Sequence, residues 1–455
     1  MPHDEKTRTP APLLAAELID CILEYLQCNS LEKSARWRPR RATEDSHDAQ
    51  GKRDLFACSL VCRAWSSAAR PHIFRDVAFV VRAPHRQRGK EAYKTFVDYD
   101  QFLRSFPAAA ASIRRLRLEF PDQYRNSLTY QHLYPEALAL FLSRMPMLER
   151  LHLRNVHISR IPDPAENLPR SYLQELQLEY NSGGPDPNNA IIDGTESLLA
   201  SGLFARAETL HLASLSIRRD SHLSCSHPEI LQELVVNRLI IERAHTGPDI
   251  FAVICGTRSL QGIRAMEIRI LTELDADREM VKSPLFTDLI APSLEHLTVR
   301  LVRPQAAYGR NVVDITSLAN LRTLSLSFTM GSGIYPSLHA ANHFLRSFPL
   351  QQLSRACHPR LEEVHIVITV DPRPAVGETT RYRLEELQTR LDDVDRRLVE
   401  TIKRCGLRCV SIEYEVERRD ANAQVLMETL FPVSRSEFPS VVCVQVQQRP
   451  GSIML

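Results

Sequence analysis

Ten cysteines and sixteen histidines are the side chains of this 455-residue chain best suited to hold a metal or act as nucleophiles. A zinc site needs about four such ligands, usually brought in as close pairs. His222, Cys225 and His227 come nearest, but they lie in a polar stretch with no fourth ligand close by. Cys58 and Cys62, and Cys405 and Cys409, have the four-residue spacing of one helical face, and no His–Cys set joins them. There is no C-x-x-C pair, no H-E-x-x-H, no G-x-S-x-G and no G-x-x-x-x-G-K-[ST]. Glycine, on which phosphate-cradling loops depend, is scarce at 15 residues. Acidic residues are plentiful, but no spacing pairs two of them in a cleft. The expectation is a protein that is not an enzyme and carries no cofactor and no metal.

Charge excludes a second class. The 57 basic residues, 50 of them arginine, nearly balance 55 acidic ones, leaving a formal net charge of +2. A dedicated nucleic-acid binder carries a larger excess, so nucleic acid is not the expected partner. Local basic clusters remain: Arg36, Arg38, Arg40 and Arg41, then Arg82, Arg86, Arg88 and Lys90. They read as solvated loops, with a nuclear address or a polyanion contact as the alternatives. The start, Met1 to Arg8, carries Asp4 and Glu5 with no apolar segment behind it, so no secretory signal is expected. The uncharged stretch Thr323 to Leu345 is broken by Gly331, Gly333, Pro336 and His339, which excludes a membrane span. Free thiols and an intracellular location, cytoplasmic or nuclear, follow as expectations.

What positions these side chains is a repeat. The pattern apolar-x-x-apolar-x-apolar stands at Ile113-Leu116-Leu118, Leu148-Leu151-Leu153, Leu173-Leu176-Leu178 and Ala207-Leu210-Leu212. It recurs at Leu231-Leu234-Val236, Ile263-Met266-Ile268, Leu294-Leu297-Val299, Leu321-Leu324-Leu326, Leu361-Val364-Ile366 and Leu407-Val410-Ile412, with a worn copy at Val442-Val444. Successive copies lie about 33 residues apart, within the range of repeat architectures. The alternating end of each copy has the period of a strand. The segments before it look helical and often close at proline: Ala137 to Leu142 before Pro146, Leu285 to Ile290 before Pro292, Asn342 to Phe348 before Pro349. Arg381 to Cys405 is a longer amphipathic helix. Helix, stop and strand in series predict an α/β solenoid with its parallel sheet on one side. A flat α/β sheet of ordinary strands is the alternative.

The region before the repeats has another period. Leu14, Leu18, Ile22, Leu23 and Leu26 share one helical face, opposite Glu17, Asp20 and Glu24. A polar stretch, Gln27 to Arg53, follows. Asp54 then reads as an N-cap opening Leu55 to Cys62. Arg63-Ala64-Trp65 comes next, and Arg70 to Phe74 closes the segment. Three short helices are predicted.

These residues resemble two known families. Leu14-Ala15-Ala16-Glu17-Leu18 with Ile22-Leu23 and Leu26 is similar to the first helix of an F-box, with Ala15 at the family's proline. Asp54-Leu55 followed by Val61-Cys62-Arg63 and Trp65 is similar to its second signature. Ile113 to about Glu417 resembles irregular leucine-rich repeats, with Asn155 and Asn237 near the family's asparagine position. The resemblance implies a short all-α F-box module at 12–75, with an inserted loop at about 27–53. A linker and first helix at 76–112 follow, then at 113–455 a leucine-rich-repeat horseshoe with its parallel sheet on the concave side. It further implies a substrate-recognition adaptor that docks a Skp adaptor of a cullin-RING ubiquitin ligase and binds an unidentified target protein. The implied adaptor-binding residues are Leu14, Glu17, Ile22, Leu23, Leu55, Leu60, Val61, Cys62 and Trp65, while Leu18, Leu26 and Phe56 are expected in the module's core. Strand residues between the buried positions would face the target: Arg115, Arg117, Arg150, His152, Arg154, Glu175, Gln177 and Glu179, and further along Thr209, His211, Glu267, Arg269, His296, Thr298 and Arg300. The docking surface is expected on the amino-terminal half of that face. The alternative is a repeat-based scaffold that engages no ligase.

Overall fold

The structure, a computed structural model, describes residues 18–19, 21–23, 45–81, 95–120, 132–158, 168–179, 198–199, 201–213, 234–242, 262–270, 290–301, 315–330, 353–370, 395–416 and 431–448. Several expectations fall outside these residues: Leu14, Glu17 and Leu26, both basic clusters, the His222–Cys225–His227 group, and the helical segments expected at 285–289, 342–348 and 381–394.

Twelve strands in chain order form one parallel sheet: β1 (Asp76–Val80), β2 (Arg115–Glu119), β4 (Arg150–Arg154), β6 (Ser171–Glu179), β7 (Phe204–Ala213), β8 (Val235–Glu242), β9 (Ala265–Ile270), β10 (His296–Leu301), β11 (Thr323–Met330), β12 (Glu363–Val370), β13 (Cys409–Val416) and β14 (Val442–Gln448). Two-residue strands β3 (His132–Leu133) and β5 (His157–Ile158) pair separately. Parallel neighbours in sequence order require a crossover connection between each pair of strands. The fold class is therefore α/β. The chain divides into two compact units, Met1–Pro121 with Leu140–Leu151, and Asp122–Ala139 with His152–Leu455.

In the first unit residues 18–23 are helical where described, followed by helices Asp45–Ser59 and Arg63–Arg75. Asp54 is thus mid-helix rather than an N-cap. The helix begins nine residues earlier, inside the stretch expected as loop, and Lys52 Nζ donates to the carbonyl of Asp76 at 3.0 Å. Helix Arg63–Arg75 also runs through Pro71. β1, whose Val77 and Phe79 sit beside Leu116 and Leu118 of β2, falls in the segment expected as linker. Helix Phe96–Ser105 starts with a capping box between Thr95 and Asp98. Its Tyr99 stacks on Phe79 at 4.3 Å between ring centroids, and its hydroxyl donates to the carbonyl of Val80.

In the second unit register shows why the repeat works. Leu176, Leu210, Leu239, Met266, Leu297, Leu324, Val364 and Val410 lie side by side across β6 to β13. So do Leu178, Leu212, Ile241, Ile268, Val299, Leu326, Ile366 and Ile412, and all sixteen are at most 2% exposed. Each row is a stack of apolar side chains buried against the next repeat. At β8 the expected frame is displaced: Val236, Leu239 and Ile241 take the places given to Leu231, Leu234 and Val236. The run Leu234-Val235-Val236-Asn237-Arg238-Leu239-Ile240-Ile241 is apolar enough to fit both frames. Pairing with β7 on one side and β9 on the other selects the later one. Asn237 consequently lies inside a strand, whereas Asn155 directly follows β4 in the left-handed region, φ 53°, which asparagine tolerates.

A second regularity sits at the start of each strand. The carbonyl of Arg264 accepts from the backbone N–H of both Glu295 and His296. Glu295 accepts from Arg322 and Thr323, Arg322 from Glu362 and Glu363, and Glu362 from Arg408 and Cys409. The side chains at this recurring position alternate in sign, with Arg322–Glu295 at 3.6 Å and Arg408–Glu362 at 3.5 Å. Within the first unit Arg114 and Glu149 make the same pair at 2.8 Å. These pairs are largely exposed, so each contributes little energy and mainly helps fix register. Near the end of the chain, Asp395 begins the described part of a helix over residues 395–405. Its buried carboxylate accepts from the N–H groups of Val433 and Ser434, capping helix Pro432–Glu437.

Candidate functional site

The first candidate surface is on the three helices of the amino-terminal module. Its core is small: Ile19, Leu23, Leu55, Ala69 and Ile73, with Cys58, Trp65, Ala68 and Phe74 packed against it. The helix Asp45–Ser59 ends, Leu60 and Val61 form a turn bonded back to Ala57 and Cys58, and Cys62 leads into the next helix in extended conformation. Val61 and Trp65 are therefore not neighbours along one helix, as four-residue spacing suggested. Leu23 and Leu55, expected to touch an adaptor, are buried in the module. Leu18 and Phe56, expected in the core, are 53% and 52% exposed. Both reversals have one cause. Adjacent apolar residues, Leu18-Ile19, Ile22-Leu23 and Leu55-Phe56, leave the inward member undetermined by sequence, and the core takes Ile19, Leu23 and Leu55. Ile22, Leu60 and Val61 are exposed as expected of a docking face, with Leu60 at 85%. Cys62 is also exposed, and Trp65 is half-buried against the core.

The second candidate is the polar face of the sheet. In the first unit Arg115 lies 3.5 Å from Asp76, and Arg117 bonds Glu119 at 2.7 Å. Burial pushes the Asp76 carboxyl above its ordinary range, against the pull of Arg115, Arg75, Lys52 and Arg150. Arg150 is exposed. In the second unit His152 and Glu179 are buried and bonded to each other at 3.0 Å, with Arg154 3.6 Å from the same carboxylate. These two are internal partners rather than contacts open to a target. Glu175 and Gln177 are half-buried.

The densest charge on this face lies further along. Glu267, 1% exposed, accepts from Arg269 Nε at 2.7 Å and Arg238 Nη2 at 2.9 Å, and Arg300 Nε is 2.8 Å away. Glu242 accepts from Arg269 Nη1 at 2.9 Å and bonds His211 Nε2 at 3.2 Å. Burial alone raises the pKa of Glu242, but the His211 hydrogen bond and the Arg269 charge outweigh it and hold the carboxyl at about 2. Glu267 is lowered too: burial opposes ionisation, and Arg269, Arg300 and Arg238 overcome it. Arg269, between two carboxylates, is raised despite burial. Such a network can bind and orient, and among the described residues no nucleophile stands beside a base in it. His211, Glu267, Arg269 and Arg300 were legible as facing positions; Arg238 and Glu242 were hidden by the displaced frame at β8.

Among the described residues the cysteines are free thiols, no group of three or more His, Cys, Asp or Glu is placed to hold a metal, and no helix is long and apolar enough to cross a membrane. No protein-family model matches the chain, and no curated protein is similar enough in sequence to count as a relative.

Proposed function

We propose that this chain is a substrate-recognition adaptor of a cullin-RING ubiquitin ligase. In this reading an F-box-like helical module docks a Skp adaptor, and a leucine-rich-repeat-like solenoid holds the target protein. The ubiquitin chemistry belongs to the partners. One observation carries the reading. The module completes its own core and still leaves Leu18, Ile22, Phe56, Leu60 and Val61 between 39% and 85% exposed. Large apolar side chains left out of a finished small core mark a protein-binding surface, and helices presenting such anchors suit recognition in a groove. The strand-ordered parallel sheet with its paired arginines and carboxylates supports the other half, a rigid polar face for a protein partner.

The test is co-purification of the full chain with a Skp adaptor. Exchanging Leu60 and Val61 for aspartate removes two anchors that contribute nothing to the core, so folding should be unaffected. A loss of about 2–4 kcal/mol of docking energy is expected, roughly thirty- to a thousandfold in affinity. A wild-type chain that retains no adaptor sinks the ligase reading. The second reading, a repeat scaffold without a ligase, draws support from the burial of Leu23 and Leu55, which removes two of the family's anchors. It predicts that failure.

A further inference from the structure

A cavity of about 700 Å³ opens in the second unit where the strands begin, lined by Arg206, Asn237, Arg264, Glu295, Asn320 and Arg360 among others. Its volume is that of a small-molecule site, but its walls are not apolar. Among the described residues no aromatic ring and no large aliphatic side chain lines it.

Two of the arginines there differ from those along the sheet. On the sheet face Arg154, Arg238, Arg269 and Arg300 all meet carboxylates, and at the strand starts Arg322 and Arg408 do too. Arg264 and Arg360 are exposed, and among the described residues their guanidinium groups meet no carboxylate. Arg206 pairs with Glu208 while lining the same space. Among the described lining residues there are thus three arginines and one carboxylate, Glu295, which already lies 3.6 Å from Arg322. The amides of Asn237 and Asn320 are fixed by their own donations, to Glu208 and to the carbonyl of Pro292. Both residues line the cavity, and among the described residues no donor engages their Oδ1 atoms.

We propose that this cavity binds a sugar phosphate carrying at least two phosphoryl groups. Guanidinium forks match phosphate oxygens in pairs. Arg264 stands at the start of β9 and Arg360 before β12, three strand spacings of about 4.8 Å away, so each fork serves its own phosphoryl group. Between them, Asn237, Asn320 and Glu295 offer acceptors for hydroxyl groups. The described lining offers no stacking surface, which disfavours a nucleobase. The site is independent of the ligase reading, because it uses none of the amino-terminal module.

The experiment is calorimetric titration of the full chain with fructose 1,6-bisphosphate at low salt. One site per chain is expected. Arg264→Gln and Arg360→Gln should each weaken binding by about tenfold, the effect of one charge-assisted contact. Arg355→Gln makes the same charge change outside the cavity and should leave affinity unchanged. The two lining variants are separate surface changes, so a folding loss in one leaves the other to decide. Absence of binding overturns the proposal, as does an equal loss in Arg355→Gln, which reports diffuse attraction. Inorganic tripolyphosphate, ATP and polyglutamate are the competing titrants. Equal or tighter binding of any of them overturns the assignment to a hydroxylated bisphosphate.

Discussion

Glu267→Gln tests whether the charged centre of the sheet face is held as described. The substitution keeps the size of the side chain and removes its charge. Three contacts change: Arg269 at 2.7 Å, Arg300 at 2.8 Å and Arg238 at 2.9 Å. Hydrogen bonds to charged groups contribute about 1.5–3 kcal/mol each, but a simple sum overstates the loss. Arg238 and Arg300 are 49% and 50% exposed, so water takes over most of their solvation and their share is strongly screened. Arg269 is 25% exposed and keeps Glu242. The dominant loss is therefore the half-buried Arg269 contact, about 1.5–3 kcal/mol. Urea unfolding followed by circular dichroism should show a destabilisation in that range. Glu267→Met combined with Arg269→Met should restore part of it, since a largely buried pair can be replaced by apolar packing. A loss under about 1 kcal/mol in the single variant would mean that Glu267 is not buried among these arginines, and the account of the face would be wrong.

Other outcomes follow from the same geometry. Glu242 is held at about 2 in the fold, against an ordinary 4.5; its contribution is complete above pH 4.5 and is lost as pH falls towards 2. At roughly 3 kcal/mol, this should make Glu242→Gln flatten the difference in urea stability between pH 6 and pH 3; an unchanged difference would show that Glu242 makes no net contribution. Leu239, fully buried in the β8 frame set by register, should cost about 3 kcal/mol on truncation to alanine. A cost below about 1 kcal/mol in denaturant titration would restore the earlier frame through Leu234 and Val236.

Most strands were legible because their apolar positions recur at one offset. Leu176-Leu178, Leu297-Val299 and Leu324-Leu326 leave no competing frame. β8 misled because Leu234 to Ile241 is apolar in two frames, and only cross-strand pairing distinguishes them. β1 carries the same spacing, Phe74-Val77-Phe79, but Phe74 also closes the amino-terminal helical segment, and that hid the copy. The helix Asp45–Ser59 was missed because its first residues are polar and look like loop, whereas Leu55 further on is what anchors it. The alternating Arg264, Glu295, Arg322, Glu362 and Arg408 were visible as the residue after the first apolar position of each copy, a signal that gains meaning once the strands stand side by side. The buried pair His152–Glu179 and the burial of Glu267 beneath Arg269 could not be read, since strand alternation gives the face of a residue and not its depth.

The most direct test of the central claim is hydrogen–deuterium exchange of the full chain with and without a saturating Skp adaptor. The account predicts that protection appears in residues 18–23 and 55–66, around exposed Ile22, Leu60 and Val61, while β9 to β12 exchange as before. Protection confined to the repeats, or none anywhere, would contradict it.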